Sequence, residues 1–156
     1  MFYIFFKTTD VVHLGYFEKG DTIASEYYIK SCLKPHICEI NKQRPKTGTQ
    51  NFKFLHNNAQ PHVTKTVTNC FNQSGITIIR HPSYSLDLAP SDYWLFDLIK
   101  KNLDDTDVEG QKTRITKLLQ SISKEEYKKM FDKWLERMQL CIDNDGHYFE
   151  NLIKQN

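Results

Sequence analysis

The chain has 156 residues, a length that suits one domain with a buried core and is short for two. Its 21 Lys and Arg against 19 Asp and Glu leave a formal charge of +2, which excludes a polybasic or polyacidic tail and confines any nucleic-acid binding to local patches. Hydrophobic residues at 39% and aromatics at 13% exclude extended disorder, and no apolar run reaches the roughly 18 residues of a membrane span. Met1 to Phe6 is too short for a signal peptide, and four scattered cysteines read as reduced thiols, so a soluble intracellular domain is expected.

Met1 to Phe6 and Val11 to Phe17 are runs of β-branched and aromatic residues separated by Lys7-Thr8-Thr9-Asp10, the pattern of a hairpin with a four-residue turn. Thr22 or Ser25 is placed to cap a helix whose apolar positions Ile29, Leu33, Ile37 and Ile40 recur every three or four residues. Pro35 lies inside that pattern, and a proline there costs on the order of 3 kcal/mol, so a break or kink is expected near Lys34. After the polar turn Arg44 to Gln50, Phe52, Phe54 and Leu55 predict a short strand running into His56. Val63, Val67, Cys70 and Phe71 share a helical face, Gly75 supplies the stop, and Ile76, Ile78 and Ile79 open the next strand. Strand, helix, strand is the crossover of a partly parallel sheet, whose ligands sit at the carboxyl ends of the strands. His56-Asn57-Asn58 and Arg80-His81 occupy two such ends.

A loop containing Pro82 and Pro90 leads to Ser91, read as the cap of a helix through Trp94, Leu95, Leu98 and Ile99, with Asp92 in its first turn. The remainder is helical. Ile115, Leu118, Leu119 and Ile122 form one stripe, and Ser123-Lys124-Glu125-Glu126 is a capping box opening another helix. The apolar face of that helix, Tyr127, Met130, Phe131, Trp134, Leu135 and Met138, reads as core packing.

Cys32, His36 and Cys38 are three potential metal ligands within seven positions, but a structural zinc site needs four ligands, and no second pair lies nearby. They read as helix residues clustered around Pro35. The stretch from His56 to Phe96 carries more. His56-Asn57-Asn58-Ala59-Gln60-Pro61-His62 follows one strand and Tyr84-Ser85-Leu86-Asp87-Leu88-Ala89-Pro90-Ser91-Asp92-Tyr93 follows the next. These blocks resemble the catalytic domain of mariner-type transposases, whose corresponding motifs read His-Asp-Asn-Ala-Pro and Tyr-Ser-Pro-Asp-Leu-Ala-Pro-Ser-Asp-Tyr. Asn57 and Asp92 enclose 34 residues, positions 58 to 91, the separation of that family's last two catalytic carboxylates. Tyr16 to Ile23, Cys141-Ile142 and Gly146-His147-Tyr148-Phe149-Glu150 extend the resemblance over nearly the whole chain.

The resemblance implies an α/β fold of the ribonuclease H and integrase type, a mixed sheet flanked by helices with a helical carboxyl-terminal end. It implies DNA as partner, a homodimer, nuclear location and three carboxylates holding Mg²⁺ or Mn²⁺, with no membrane and no small-molecule substrate. Two hard ions held by carboxylate oxygens would activate the attacking oxygen and stabilise the leaving one. This chain departs from that set. Asn57 stands where the family has Asp, which removes a negative charge between the ions, and only Asp92 keeps its carboxylate. Gln60 and Leu86 replace prolines of the family motifs. The family's first catalytic strand, with its Asp, and its amino-terminal helix-turn-helix domain precede the segment matched by Met1 to Phe6. The expectation over residues 1–156 is therefore a truncated, degenerate catalytic domain that binds metal poorly, does not cleave DNA and at most binds it.

Two alternatives stand beside that expectation. Residual metal-dependent nuclease activity would use Asp92, with Asn57, His56 or a second chain completing the site. The chain also resembles the transposase half of SET-domain/mariner fusion proteins, so it could be one part of a larger fusion, although nothing in it supports a methyltransferase. His56, His62, Lys65 and Arg80, with Lys100, are the candidates for contact with nucleic acid.

Overall fold

A computed structural model of the chain describes residues 1–18, 20, 22–103 and 108–147, and the expected carboxyl-terminal signature at Tyr148-Phe149-Glu150 lies outside them. The contacts divide the chain into two units, one from residues 1–7 and 11–83, the other from residues 8–10 and from Tyr84 onward. Among the described residues no helix is long and apolar enough to cross a membrane.

The first unit opens with strands β1, Phe2–Phe6, and β2, Val11–Tyr16, paired antiparallel with Tyr3 opposite Gly15 and an irregularity between Phe5 and Phe6. Gly15 is required there because a Cβ would collide with the Tyr3 ring, and an aromatic laid over a cross-strand glycine is a known way of stabilising such a pair. Helix α1, Ser25–Tyr27, continues through a π-helical turn, Tyr28–Leu33, into α2, Lys34–Gln43. The helix is not broken at Pro35, and the irregularity expected near Lys34 takes the form of a π-helical turn that ends at Leu33. The Lys34 N–H bonds the Ile29 carbonyl five residues back, and the Ser31 carbonyl, four residues before Pro35 and without an N–H from the proline, accepts from the Tyr3 hydroxyl at 2.6 Å instead. Neither Thr22 nor Ser25 caps this helix, since the cap position is Ala24 and carries no side-chain bond.

Strand β3, Lys53–Leu55, pairs in parallel with β4, Thr77–Ile79, joined by α3, Lys65–Gln73, as the strand–helix–strand pattern predicts. Thr64 caps α3 by accepting a bond from the Val67 N–H, and Gly75 at φ +67° ends it. Val67 and Phe71 are fully buried, but Val63 precedes the helix and is half exposed rather than on its inner face. The core of this unit is Tyr28, Cys32, Leu33, Phe54, Val67, Phe71 and Ile76. The strands thus form two separate two-stranded ladders rather than one continuous mixed sheet.

In the second unit a π-helical turn, Ser91–Leu95, leads into α4, Phe96–Asn102, followed by α5, Val108–Ser121, and α6, Lys124–Asp143. Pro90, not Ser91, holds the cap position of the first of these. The capping box of α6 is present in full: Ser123 accepts from the Glu126 N–H while the Glu126 carboxylate accepts from the Ser123 N–H. Leu95, Ile99, Ile115, Leu119 and Tyr127 are buried, whereas Leu135 is 62% exposed and so lies off the inner face to which its spacing had assigned it.

Two measurements check this packing. Ser123→Ala removes one half of a capping box and is expected to lower stability by about 1 kcal/mol in chemical denaturation. His36 is fully buried, with its ring stacked on Phe5 at 4.2 Å, Phe54 at 5.6 Å and no hydrogen-bond partner on either nitrogen. Burial, aided by His13, lowers its pKa from 6.5 to about 4. The folded chain therefore binds fewer protons than the unfolded one, so this contribution is complete above pH 6.5 and is lost as the pH falls towards 4, by on the order of 3 kcal/mol. His36→Leu should flatten that stretch of the stability–pH curve.

Candidate functional site

Parallel pairing of β3 and β4 brings His56-Asn57-Asn58 and Arg80-His81 to one edge of the first unit. The Asn58 side-chain amide donates to the His81 carbonyl at 2.9 Å and ties the two strand ends together. His56 stands edge-on to Phe54 and Phe71, each at 5.5 Å, and stacks on His62 at 5.3 Å. Burial, with His62 beside it, lowers the pKa of His56 to about 4, so it is a neutral imidazole at pH 7.

Asn57 is exposed, yet its side-chain oxygen is committed. It lies 2.7 Å from His62 Nδ1, which fixes the tautomer with the proton on Nδ1, and it also accepts the Ala59 N–H at 3.2 Å. His62 ends a short 3₁₀ turn, Gln60–His62, and its ring lies 4.3 Å from that of Tyr28. Burial holds the pKa of His62 below the ordinary histidine value, with hydrogen bonding to Asn57 opposing it. His56, Asn57 and His62 are thus one cluster. Lys65, the first residue of α3, and Arg80, just past β4, are exposed in the same unit.

Asp92 belongs to the second unit, in the first turn of the π-helical segment, half-buried, with the Ser91 hydroxyl donating to its Oδ2 at 3.3 Å. The segment around it is fixed by α6. The Tyr93 hydroxyl donates to the Met130 carbonyl at 2.8 Å, and the Arg137 guanidinium lies 4.2 Å over the Tyr93 ring while donating to the Asp87 carbonyl at 2.8 Å. Trp94 stands edge-on to the buried Tyr127 at 5.4 Å. Sequence reading missed this Arg137 clamp and the His62–Asn57 bond, because both depend on side-chain directions that spacing does not specify. Lys100 is exposed on α4.

The polar atoms do not suit a pair of divalent ions. The second position offers a neutral amide oxygen that already accepts two hydrogen bonds, where hard cations are held by anionic oxygens. Among the described residues no group of three or more His, Cys, Asp and Glu side chains is placed to hold a metal, and Cys32, His36 and Cys38 form none.

No protein-family model matches the chain. It is 29% identical over 155 residues to the human histone-lysine N-methyltransferase SETMAR and 26% identical over 157 residues to the Mariner Mos1 transposase of Drosophila mauritiana. These alignments take in 94% and 96% of the chain but only 22% and 45% of the relatives, so the chain spans less than half the length of either. The crystal structure of the Mos1 catalytic domain matches 96% of the chain with a TM-score of 0.86 at 25% identity, over 75% of its own length. The chain is homologous to the mariner transposase catalytic domain. The α/β fold of the ribonuclease H and integrase type follows from the same match. A further Mos1 catalytic-domain structure, solved with Mn, matches at TM-score 0.85 and 25% identity over 96% of the chain and 76% of its own. The Mos1 paired-end complex with the left transposon end matches at TM-score 0.85 and 27% identity over 96% and 44%.

The mariner-like domain gives a direct test of the Asn57 geometry. Asn57→Asp places a carboxylate within hydrogen-bond reach of His62, and an opposite charge at that distance favours the imidazolium. The pKa of His62, followed by NMR of its ring protons, should rise relative to the unmodified chain. An unchanged titration would mean that the two side chains do not meet in solution.

Proposed function

We propose that the chain is a transposase-derived domain that has lost DNA cleavage and keeps weak, sequence-independent binding to DNA, acting in the nucleus and as a homodimer. The observation that carries this reading is the neutral Asn57, whose oxygen is already taken up by His62 and the Ala59 N–H. Asp92 then keeps the carboxylate of its family position and is a former ligand of Mg²⁺ or Mn²⁺, and Asn57 stands where a companion carboxylate has been lost. Binding to DNA would rest on His56, His62, Lys65 and Arg80, in keeping with the transposon-end complex of the Mos1 relative.

A second reading, that the chain is the transposase-derived part of a larger fusion, is favoured by its match to 22% of the human SETMAR protein. The same residues also match the Mos1 transposase, so the shared part is the mariner-like one, and the methyltransferase in that protein's name is not proposed for this chain. An antibody to the chain would detect a product far longer than 156 residues if the fusion reading holds, and a product of this size if it does not.

The test of the first reading is binding of the purified chain to a labelled duplex, by fluorescence anisotropy across a salt series. Counterion release makes the slope of log affinity against log salt a count of phosphate contacts. Saturable binding is expected, with the slope reduced by about 1 in each of Lys65→Ala and Arg80→Ala. Binding that ignores salt, or none by the folded chain, would contradict the proposal.

A further inference from the structure

Charge is unevenly placed along the chain. Residues 27–86 carry eight Lys and Arg against a single carboxylate, Glu39, although the whole chain has a formal charge of +2. Such a bias within one compact unit is the electrostatic signature of an anionic partner. Lys65 and Arg80 belong to the edge where β3 and β4 end, whereas Lys53 and the turn Arg44 to Gln50 lie where the pair begins, since parallel strands start at one edge and finish at the other. At that starting edge α2 and the end of α3 enclose a groove of about 590 Å³, lined by Lys34, Asn41 and Lys42 of α2 and by Gln73 and Ser74. Lys34 and Lys42 are exposed and stand about 12 Å apart along the helix. Lys42 shares its charge with Glu39 at 3.5 Å, while Lys34 has no carboxylate partner among the described residues. The carboxyl end of a helix repels an anion through its bare carbonyls, but that of α3 is closed over. The Ser74 hydroxyl donates to the Cys70 carbonyl, the Gly75 N–H to the Asn72 carbonyl and the Thr49 hydroxyl to the Ser74 carbonyl. The groove is thus left with lysines and the amides of Asn41 and Gln73, donors of the kind that hold phosphate oxygens without reading sequence. It has no aromatic ring for a base to stack on and no strand edge for an extended peptide to pair with.

We propose that this groove is a second phosphate-binding surface, which holds the backbone of a DNA duplex at the edge where β3 and β4 begin, opposite the cluster at their carboxyl ends. Lys34 and Lys42 pair with phosphates along the groove, and Asn41 and Gln73 donate to the backbone between them. One chain thereby offers two faces to DNA. The inference rests on the proposed function only in taking DNA as the partner, since the residues that hold it are different ones.

Acetylation of the purified chain by N-hydroxysuccinimidyl acetate, with and without saturating duplex and read by peptide mapping, tests the surface without any substitution. Lys34 and Lys42 should be labelled more slowly when duplex is present, while the exposed Lys117 and Lys133 of the second unit keep their rate. In the anisotropy salt series, Lys34→Gln with Lys42→Gln, checked for native circular dichroism, should lower the slope by about 2. Lys117→Gln with Lys133→Gln makes the same change of net charge elsewhere and should leave the slope as it was. Labelling of Lys34 and Lys42 that ignores duplex, or an equal fall in slope for both lysine pairs, would overturn the proposal. So would a polyglutamate peptide that binds more tightly than duplex at the same salt and protects the same lysines, because the groove would then be a site for acidic protein segments. If Lys34→Gln with Lys42→Gln lowers the slope and Lys65→Ala with Arg80→Ala does not, this surface stands and the contacts at the strand ends fall. The reverse result leaves those contacts standing and overturns this surface.

Discussion

The parallel pairing of β3 with β4 across α3 is the constraint on which the candidate site depends. A parallel pair cannot be closed by a turn, so the chain must leave the sheet, form α3 and return. That return is held by Val67 and Phe71, both fully buried, with Phe71 at 4.9 Å from the Phe54 ring of β3. Phe71 and Phe54 then form the wall against which His56 stands, and His56 in turn stacks on His62. The hydrogen bond from His62 to Asn57 is therefore set by core packing, several steps removed from the exposed amide that it holds.

The crossover was readable in the sequence because its signals are local: Phe52 just before β3 and Phe54 within it, a 3.6-residue stripe in α3 and a glycine at its end. The capping box of α6 was readable for the same reason. The blocks His56 to His62 and Tyr84 to Tyr93, with their spacing, carried the homology that the structural match bears out. Pro35 marks the place of an irregularity near Lys34 but not its form, since a π-helical turn has no sequence signature of its own. Ser91 was misread as a cap because Pro90 already has helical backbone angles, so the helical segment begins one residue earlier than the hydroxyl suggests. Leu135 shows the limit of periodicity in a long helix, since a face can be apolar further round than its neighbours cover.

Electrostatics connects the fold to the proposed loss of activity. A carboxylate at position 57 would draw a divalent ion and would also pair with a protonated His62, whereas the amide pairs with a neutral one at no cost in buried charge. Burial keeps both His56 and His62 neutral at pH 7, so the cluster carries no net charge and has little attraction for an ion. Around Asp92 the segment is oriented by neutral and cationic contacts, Tyr93 to Met130 and Arg137 to Asp87.

The most direct measurement of the central claim is nicking of supercoiled plasmid by the purified, size-checked chain with Mg²⁺ or Mn²⁺, run beside its Asp92→Ala variant. No nicking above the background of the variant is expected with either ion. Metal-dependent nicking by the native chain that disappears in Asp92→Ala would contradict it.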